Sequence, residues 1–140
     1  MKKVIILIVV VFAFNVKGHS QVTTDTLDYL RNIVANKAQY VGHPFHVLSD
    51  TLQLQIKFFS PFAGKAYDKT KETSTSFSFY FPPTQNEMYL TYPKLEIVWQ
   101  VPLNANQSSV LYDANNGGGW SPAVATFYAN AIIGDIRVRE

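Results

Sequence analysis

Two stretches of this chain alternate apolar and polar side chains with a period of two residues, and prolines bound them. Phe77, Phe79 and Phe81 alternate with Ser76, Ser78 and Tyr80 ahead of Pro82-Pro83. Leu95, Ile97, Trp99 and Val101 alternate with Lys94, Glu96, Val98 and Gln100 between Pro93 and Pro102. Residues i and i+2 of a strand share one face of its sheet, so this pattern demands one packed face and one turned outward. Phe77, Phe79, Phe81, Ile97 and Trp99 are expected on the packed face.

Three further stretches read as strands. Leu54, Ile56 and Phe58 alternate with Gln53, Gln55 and Lys57, and Ser60-Pro61 ends that run. Val124 to Tyr128 and Ile132 to Val138 follow near the end, joined at Ala129-Asn130-Ala131. Between the first two strands, Gly64 to Ser74 is polar and reads as a solvated loop. Glu96 is expected outward and solvated. A polar loop at Asn104 to Ser109 and an apolar piece, Val110 to Tyr112, precede Asp113 to Gly119, a loop with three consecutive glycines.

Ahead of the strands the period is helical. Leu27, Leu30, Val34, Ala38 and Val41 recur at three- and four-residue steps, which predicts a helix over Asp25 to Val41 capped by Thr24 or Asp25. Gly42 stops it, and Pro44 can open a second, shorter helix with Phe45, Leu48 and Leu52 on one face. Helices first and strands afterwards make the fold α+β. The expectation is an N-terminal helix pair packed on one face of an antiparallel β-sheet of about four to five strands.

The chain begins with Lys2-Lys3, an unbroken apolar run from Val4 to Phe14, and small residues at Gly18 and Ser20. This is the layout of a secretory signal peptide. It divides the chain into a signal peptide, 1–20, and a single α+β domain, 21–140. The apolar run falls short of the roughly 20 residues of a membrane span. Membrane attachment is therefore expected only through an uncleaved leader, and the location is exported, periplasmic or extracellular. Of twelve basic residues, Lys2, Lys3 and Lys17 lie in the leader; the nine left face ten acidic ones, a net charge of −1. The basic balance of the whole chain thus gives no support for a nucleic-acid partner. No cysteine is present, which excludes disulfides, thiolate metal sites and cysteine nucleophiles.

Catalytic patterns are weak. His43, His46 and Asp50 have the spacing of potential metal ligands, but Pro44 separates the histidines and both read as ordinary turn or cap residues. No Gly-x-Ser-x-Gly elbow is present, and nothing pairs any two of Glu87, Glu96, Asp113 and Asp135 for acid–base work. Asp113-Ala114-Asn115-Asn116-Gly117 begins like a calcium loop, yet position twelve is Val124 rather than Glu. No metal, cofactor or enzymatic activity is expected. Tyr80, Tyr112, Trp120 and Tyr128 are aromatic residues expected outside the main core face, where rings can fill a partner's pocket or stack on sugars.

The order of elements, with Tyr40-Val41-Gly42-His43-Pro44-Phe45 leading into the strands, resembles the SmpA/OmlA-like envelope proteins and β-lactamase-inhibitor-like folds. That resemblance implies a helical pair on an antiparallel sheet in a small exported module. The functional expectation is a non-enzymatic protein-binding module of inhibitor, immunity or envelope-assembly type. It would use its open sheet face and a loop site at Tyr112, Asp113, Asn115, Asn116 and Trp120. A carbohydrate- or cell-wall-binding protein using Tyr112, Asn115, Asn116 and Trp120 is the first alternative, and a small enzyme or metal protein centred on His46 the second. The leader pattern predicts that the exported chain begins at Gln21. Intact-mass measurement should give the mass of residues 21–140, and a full-length chain in the membrane fraction would instead mean a retained anchor.

Overall fold

The computed structural model describes residues 25–80 and 92–140. The expected leader, Phe81, Pro82-Pro83 and Glu87 lie outside them. Four strands, β1 (Phe58–Phe62), β2 (Lys71–Ser78), β3 (Lys94–Asn104) and β4 (Ile133–Arg139), form one antiparallel sheet in the order β1-β2-β3-β4. The helices are α1 (Thr26–Ala35), α2 (Phe45–Ser49), α3 (Ala105–Ala114) and α4 (Pro122–Ala129), with a 3₁₀ turn at Lys37–Gln39. The fold is an α+β mix.

Helix α1 starts where the Asp25 side chain accepts from Leu27 N at 3.0 Å. It ends at Asn36, short of the expected Val41. The Asn36 amide side chain turns back to the Asn32 carbonyl, 2.9 Å away, and competes with helix continuation. Gly42 then takes φ +83°, and its N–H donates to Ile133 O at 2.8 Å. Only a residue free of a Cβ penalty adopts that angle cheaply.

Two segments correct the expectations. Val124–Tyr128 is helical, not a strand. Ser121 caps the helix, its Oγ accepting from Val124 N at 3.4 Å, and Pro122 occupies the first turn. Val124 and Tyr128 then fall one turn apart on the same buried face, so Tyr128 is wholly buried rather than outside the core. Asn104–Tyr112 is likewise not loop and short apolar piece but the cap and body of α3. Asn104 Oδ1 accepts from Asn106 N and Gln107 N at 3.0 and 3.1 Å. β1 lies several residues later than expected and runs through Pro61. A proline is tolerated there because β1 is an edge strand.

Cross-strand partners share a face, which fixes both sides of the sheet. Phe59↔Phe77↔Leu95↔Val138 and Thr75↔Ile97↔Ile136 point inward. Phe77, Phe79, Ile97 and Trp99 are all buried, as their alternation requires. Phe45 stacks on Phe77 at 4.8 Å between ring centroids, and Trp99 stacks on Tyr128 at 5.5 Å. Phe59 and Phe77 both present their rings to Tyr128 at near-perpendicular angles. The outward face carries Ser60, Ser74, Ser76, Ser78, Lys94, Glu96, Arg137 and Arg139.

Both sheet edges are partly occupied by the chain's own backbone. Beside β1, Phe59 N donates to Gly118 O at 2.8 Å and Trp120 N to Lys57 O at 2.9 Å. At the start of β4, Ile133 N donates to His43 O at 3.0 Å, with a bridge from Pro44 to Ile132. Occupied backbone groups are withdrawn from pairing with other chains. The core assignment predicts that Phe77→Ala costs about 3–5 kcal/mol in denaturant unfolding, while Tyr67→Ala, at an 86% exposed position, stays within about 0.5 kcal/mol.

Candidate functional site

Of the residues expected to form a binding loop, Tyr112 and Asp113 line one depression and Trp120 another. Asn116, Gly117 and Gly118 have φ of 57°, 83° and 96°, and this left-handed run reverses the chain after α3. The amides of Gly117 and Gly118 both donate to Tyr112 O at 3.1 Å. Gly118 is pressed against β1: a Cβ there would lie 2.4 Å from Phe59 O and 2.6 Å from the Tyr112 ring. The glycines thus permit a backbone clamp on β1.

Of the five residues, three spend their groups internally. The Tyr112 ring meets Phe59 edge-on at 5.9 Å. Asn115 Nδ2 donates to Leu111 O at 2.8 Å. Trp120 is half-buried with its ring edge-on to Phe77 at 5.7 Å. Asp113 and Asn116 are exposed. Tyr112 and Asp113 share a shallow depression of about 330 Å³ with Ser60, Pro61 and Ser109. Trp120 lines a different one, of about 430 Å³, with the Leu52–Ile56 stretch.

Sequence reasoning missed a cleft on the outward face of the sheet. It holds about 340 Å³, and its walls include Ser60, Phe62, Ser76, Tyr92, Lys94, Glu96 and Arg139. Glu96 occupies the outward side as expected, but it is not solvated: it is only 4% exposed. Its Oε1 accepts from Arg139 Nη2 at 2.7 Å and from Ser74 Oγ at 3.3 Å, and these groups replace the lost water. That carboxylate in turn holds the Arg139 proton more firmly than usual. Phe62, 58% exposed, forms part of the wall. The only signal in the sequence was the serine run on one parity of β2, which reads as a merely solvated face.

A second groove, of about 560 Å³, runs between α3 and α4 past Val110, Leu111, Ala123 and Phe127. Its walls carry amides and apolar groups but no charged side chain. His43 and His46 are exposed, and His46 Nδ1 lies 3.8 Å from Asp50 Oδ2. Among the described residues no three His, Cys, Asp or Glu side chains gather as metal ligands do. Nor is any described helix long and apolar enough to cross a membrane.

One perturbed carboxyl lies inside the core. Glu72, placed by expectation in a solvated loop, begins the inward face of β2 and is wholly buried. The β2–β3 register shifts between Glu72 and Ser74, which brings Glu72 and Thr75 together on the inward side. Tyr128 OH donates to Glu72 Oε1 at 2.8 Å, and the Thr75 hydroxyl donates to the same oxygen. Trp99 Nε1 donates to Thr75 Oγ1 at 2.9 Å, which orients that hydroxyl. Glu72 Oε2 is buried with no hydrogen-bond partner, and no cation faces the carboxyl among the groups that perturb it. The Ser108 hydroxyl beside it donates elsewhere, to Ala105 O at 3.1 Å.

Burial therefore pushes the Glu72 carboxyl above its ordinary value, with the neutral donors opposing the shift only in part. The same burial, with Glu72 beside it, drives the Tyr128 phenol upward. With no exposed surface, Glu72 offers a substrate no route of approach. Comparison with protein-family models, curated proteins and solved structures finds no match. The likeness in element order therefore assigns no family, and function rests on the geometry alone.

The buried acid generates a pH prediction whose sign follows from linkage. The unfolded chain loses the Glu72 proton near 4.5, while the folded chain keeps it to higher pH. Stability should fall as pH rises above about 4.5, until the folded-state group also ionises. Glu72→Gln keeps a neutral acceptor in place. It should flatten that part of the profile and be more stable than the parent at neutral pH, measured by denaturant unfolding across the range. Parallel profiles for the two proteins would mean the buried group is not the source.

Proposed function

We propose that this chain is a non-catalytic binding module that acts after export, in the periplasm or outside the cell, and engages a protein partner through the outward face of its sheet. The observation that carries this reading is the cleft there: polar hydroxyls, an ion pair already fixed in place, and the exposed Phe62 ring on one concave wall. An exposed aromatic beside preorganised polar groups is the composition of a protein-binding hot spot. The partly occupied sheet edges, at Lys57–Phe59 and Ile132–Ile133, favour face-on docking over strand addition there. Closure of the Glu72 cluster to solvent favours a structural over a catalytic use of that acid. A glycan-stacking role at Trp120 has less support, since that ring is engaged with Phe77.

The test is capture of a partner from envelope extract with the purified protein, followed by affinity measurement with that partner. Phe62→Ala should weaken binding by about 2 kcal/mol or more, the range of a hot-spot residue, with the unfolding midpoint little changed. Ser76→Arg, which fills the cleft, should abolish it. Unchanged binding in both variants would sink the reading, and loss on Tyr112→Ala alone would move the site to the glycine loop.

A further inference from the structure

The outward cleft contains a charge arrangement that the fold alone does not explain. Lys94 and Arg139 are direct cross-strand partners at the β3–β4 pairing, and both line the cleft. Like charges placed opposite one another cost stability. Arg139 is partly compensated by Glu96, through one guanidinium nitrogen at 2.7 Å. Its side chain nevertheless remains 59% exposed, so further N–H donors of the planar fork are accessible. Lys94 is exposed and forms no ion pair with any described residue. Glu140, at the rim, is taken by Arg31 at 2.6 Å. Among the described residues, Lys94 is therefore the one cation lining the cleft without an ion-pair partner, in a chain whose part after residue 20 carries a net charge of −1.

We infer that the cleft receives an acidic peptide segment, with a Glu or Asp carboxylate seated between Lys94 and Arg139. This rests on the reading of the outward face as the partner surface. Arg139 supplies a directional donor, already oriented by Glu96, while Lys94 supplies a movable point charge. The hydroxyls of Ser60 and Ser76 line the same cleft and can bond the backbone of an extended segment. Phe62 gives an apolar contact beside the charged pair. A carboxylate placed there would also offset the Lys94–Arg139 repulsion, so binding should relieve a cost already present in the free protein.

The test is an NMR titration of the ¹⁵N-labelled protein, purified as exported, at low salt. The probe is an end-blocked hexapeptide alternating Glu and Gly, and its control carries Gln in place of Glu. The Glu peptide should give saturable shifts at the amides of Ser76, Lys94 and Arg139, and the Gln peptide none. Lys94→Ala should weaken binding about tenfold, as expected for loss of one hydrogen bond to a charged group. Lys94→Glu should abolish it, and both variants should keep the parent spectrum elsewhere. Equal shifts from both peptides, or unchanged binding in Lys94→Glu, would overturn the inference. So would saturable binding of a sulfated oligosaccharide to this cleft without any of the Glu peptide, which would make the occupant a glycan. If partner capture depends on Phe62 and Ser76 while the Glu peptide fails to bind, the acidic-segment inference falls and the docking face stands. If neither holds, both fall.

Discussion

Tyr128 joins two kinds of packing that the fold cannot keep apart. Its ring lies among Phe45, Phe59, Phe77 and Trp99, and its hydroxyl ends on the buried Glu72 carboxyl. Burying a carboxyl without donors is expensive, and burying a phenol without an acceptor is nearly so. Each meets the other's need within an apolar shell. The helix α4 must therefore present Tyr128 at one height above the sheet, and Val124 one turn earlier fixes its rotation. The position and orientation of α4 thus follow from one residue with an apolar body and a polar tip.

The polar groups around that contact specify register as well as energy. Trp99 on β3 donates to Thr75 on β2, and Thr75 and Tyr128 on α4 both donate to Glu72 on β2, so the network converges on that carboxyl. A slip of one residue in β2 would turn Thr75 outward and leave the Trp99 N–H unpaired. Irregular pairing between Glu72 and Ser74 is thus part of the arrangement, since regular alternation would place residues 72 and 75 on opposite faces. Sequence patterns with period two carry no trace of this shift.

Legibility followed the strength of local periodicity. The inward parity of Phe77, Phe79, Ile97 and Trp99 could be read because three or more alternations coincided with proline boundaries. Helices α3 and α4 could not be read from periodicity, because neither has a strong apolar stripe. Their signals were caps: Asn104 for one, Ser121-Pro122 for the other. In the second, the β-branched and aromatic content of Val124–Tyr128 outweighed a cap that tertiary packing made decisive. The loop at 113–119 was visible as glycine-rich, but its clamp on β1 depends on a pairing with residues some sixty positions earlier. The outward cleft was invisible for a related reason. Lys94, Arg139 and Ser60 meet only after all four strands pair in order.

The occupied edges bear on the order in which the molecule becomes safe. The clamp on β1 comes from residues 118–120, and the last strand of the sheet is complete only at Arg139. Until those residues arrive, a chain still being made offers an unguarded template to its neighbours. The sheet is consequently a late-sealing structure. Its vulnerability lies in incomplete chains, and a truncation before residue 118 would leave β1 able to recruit another copy even if β2 and β3 had already paired.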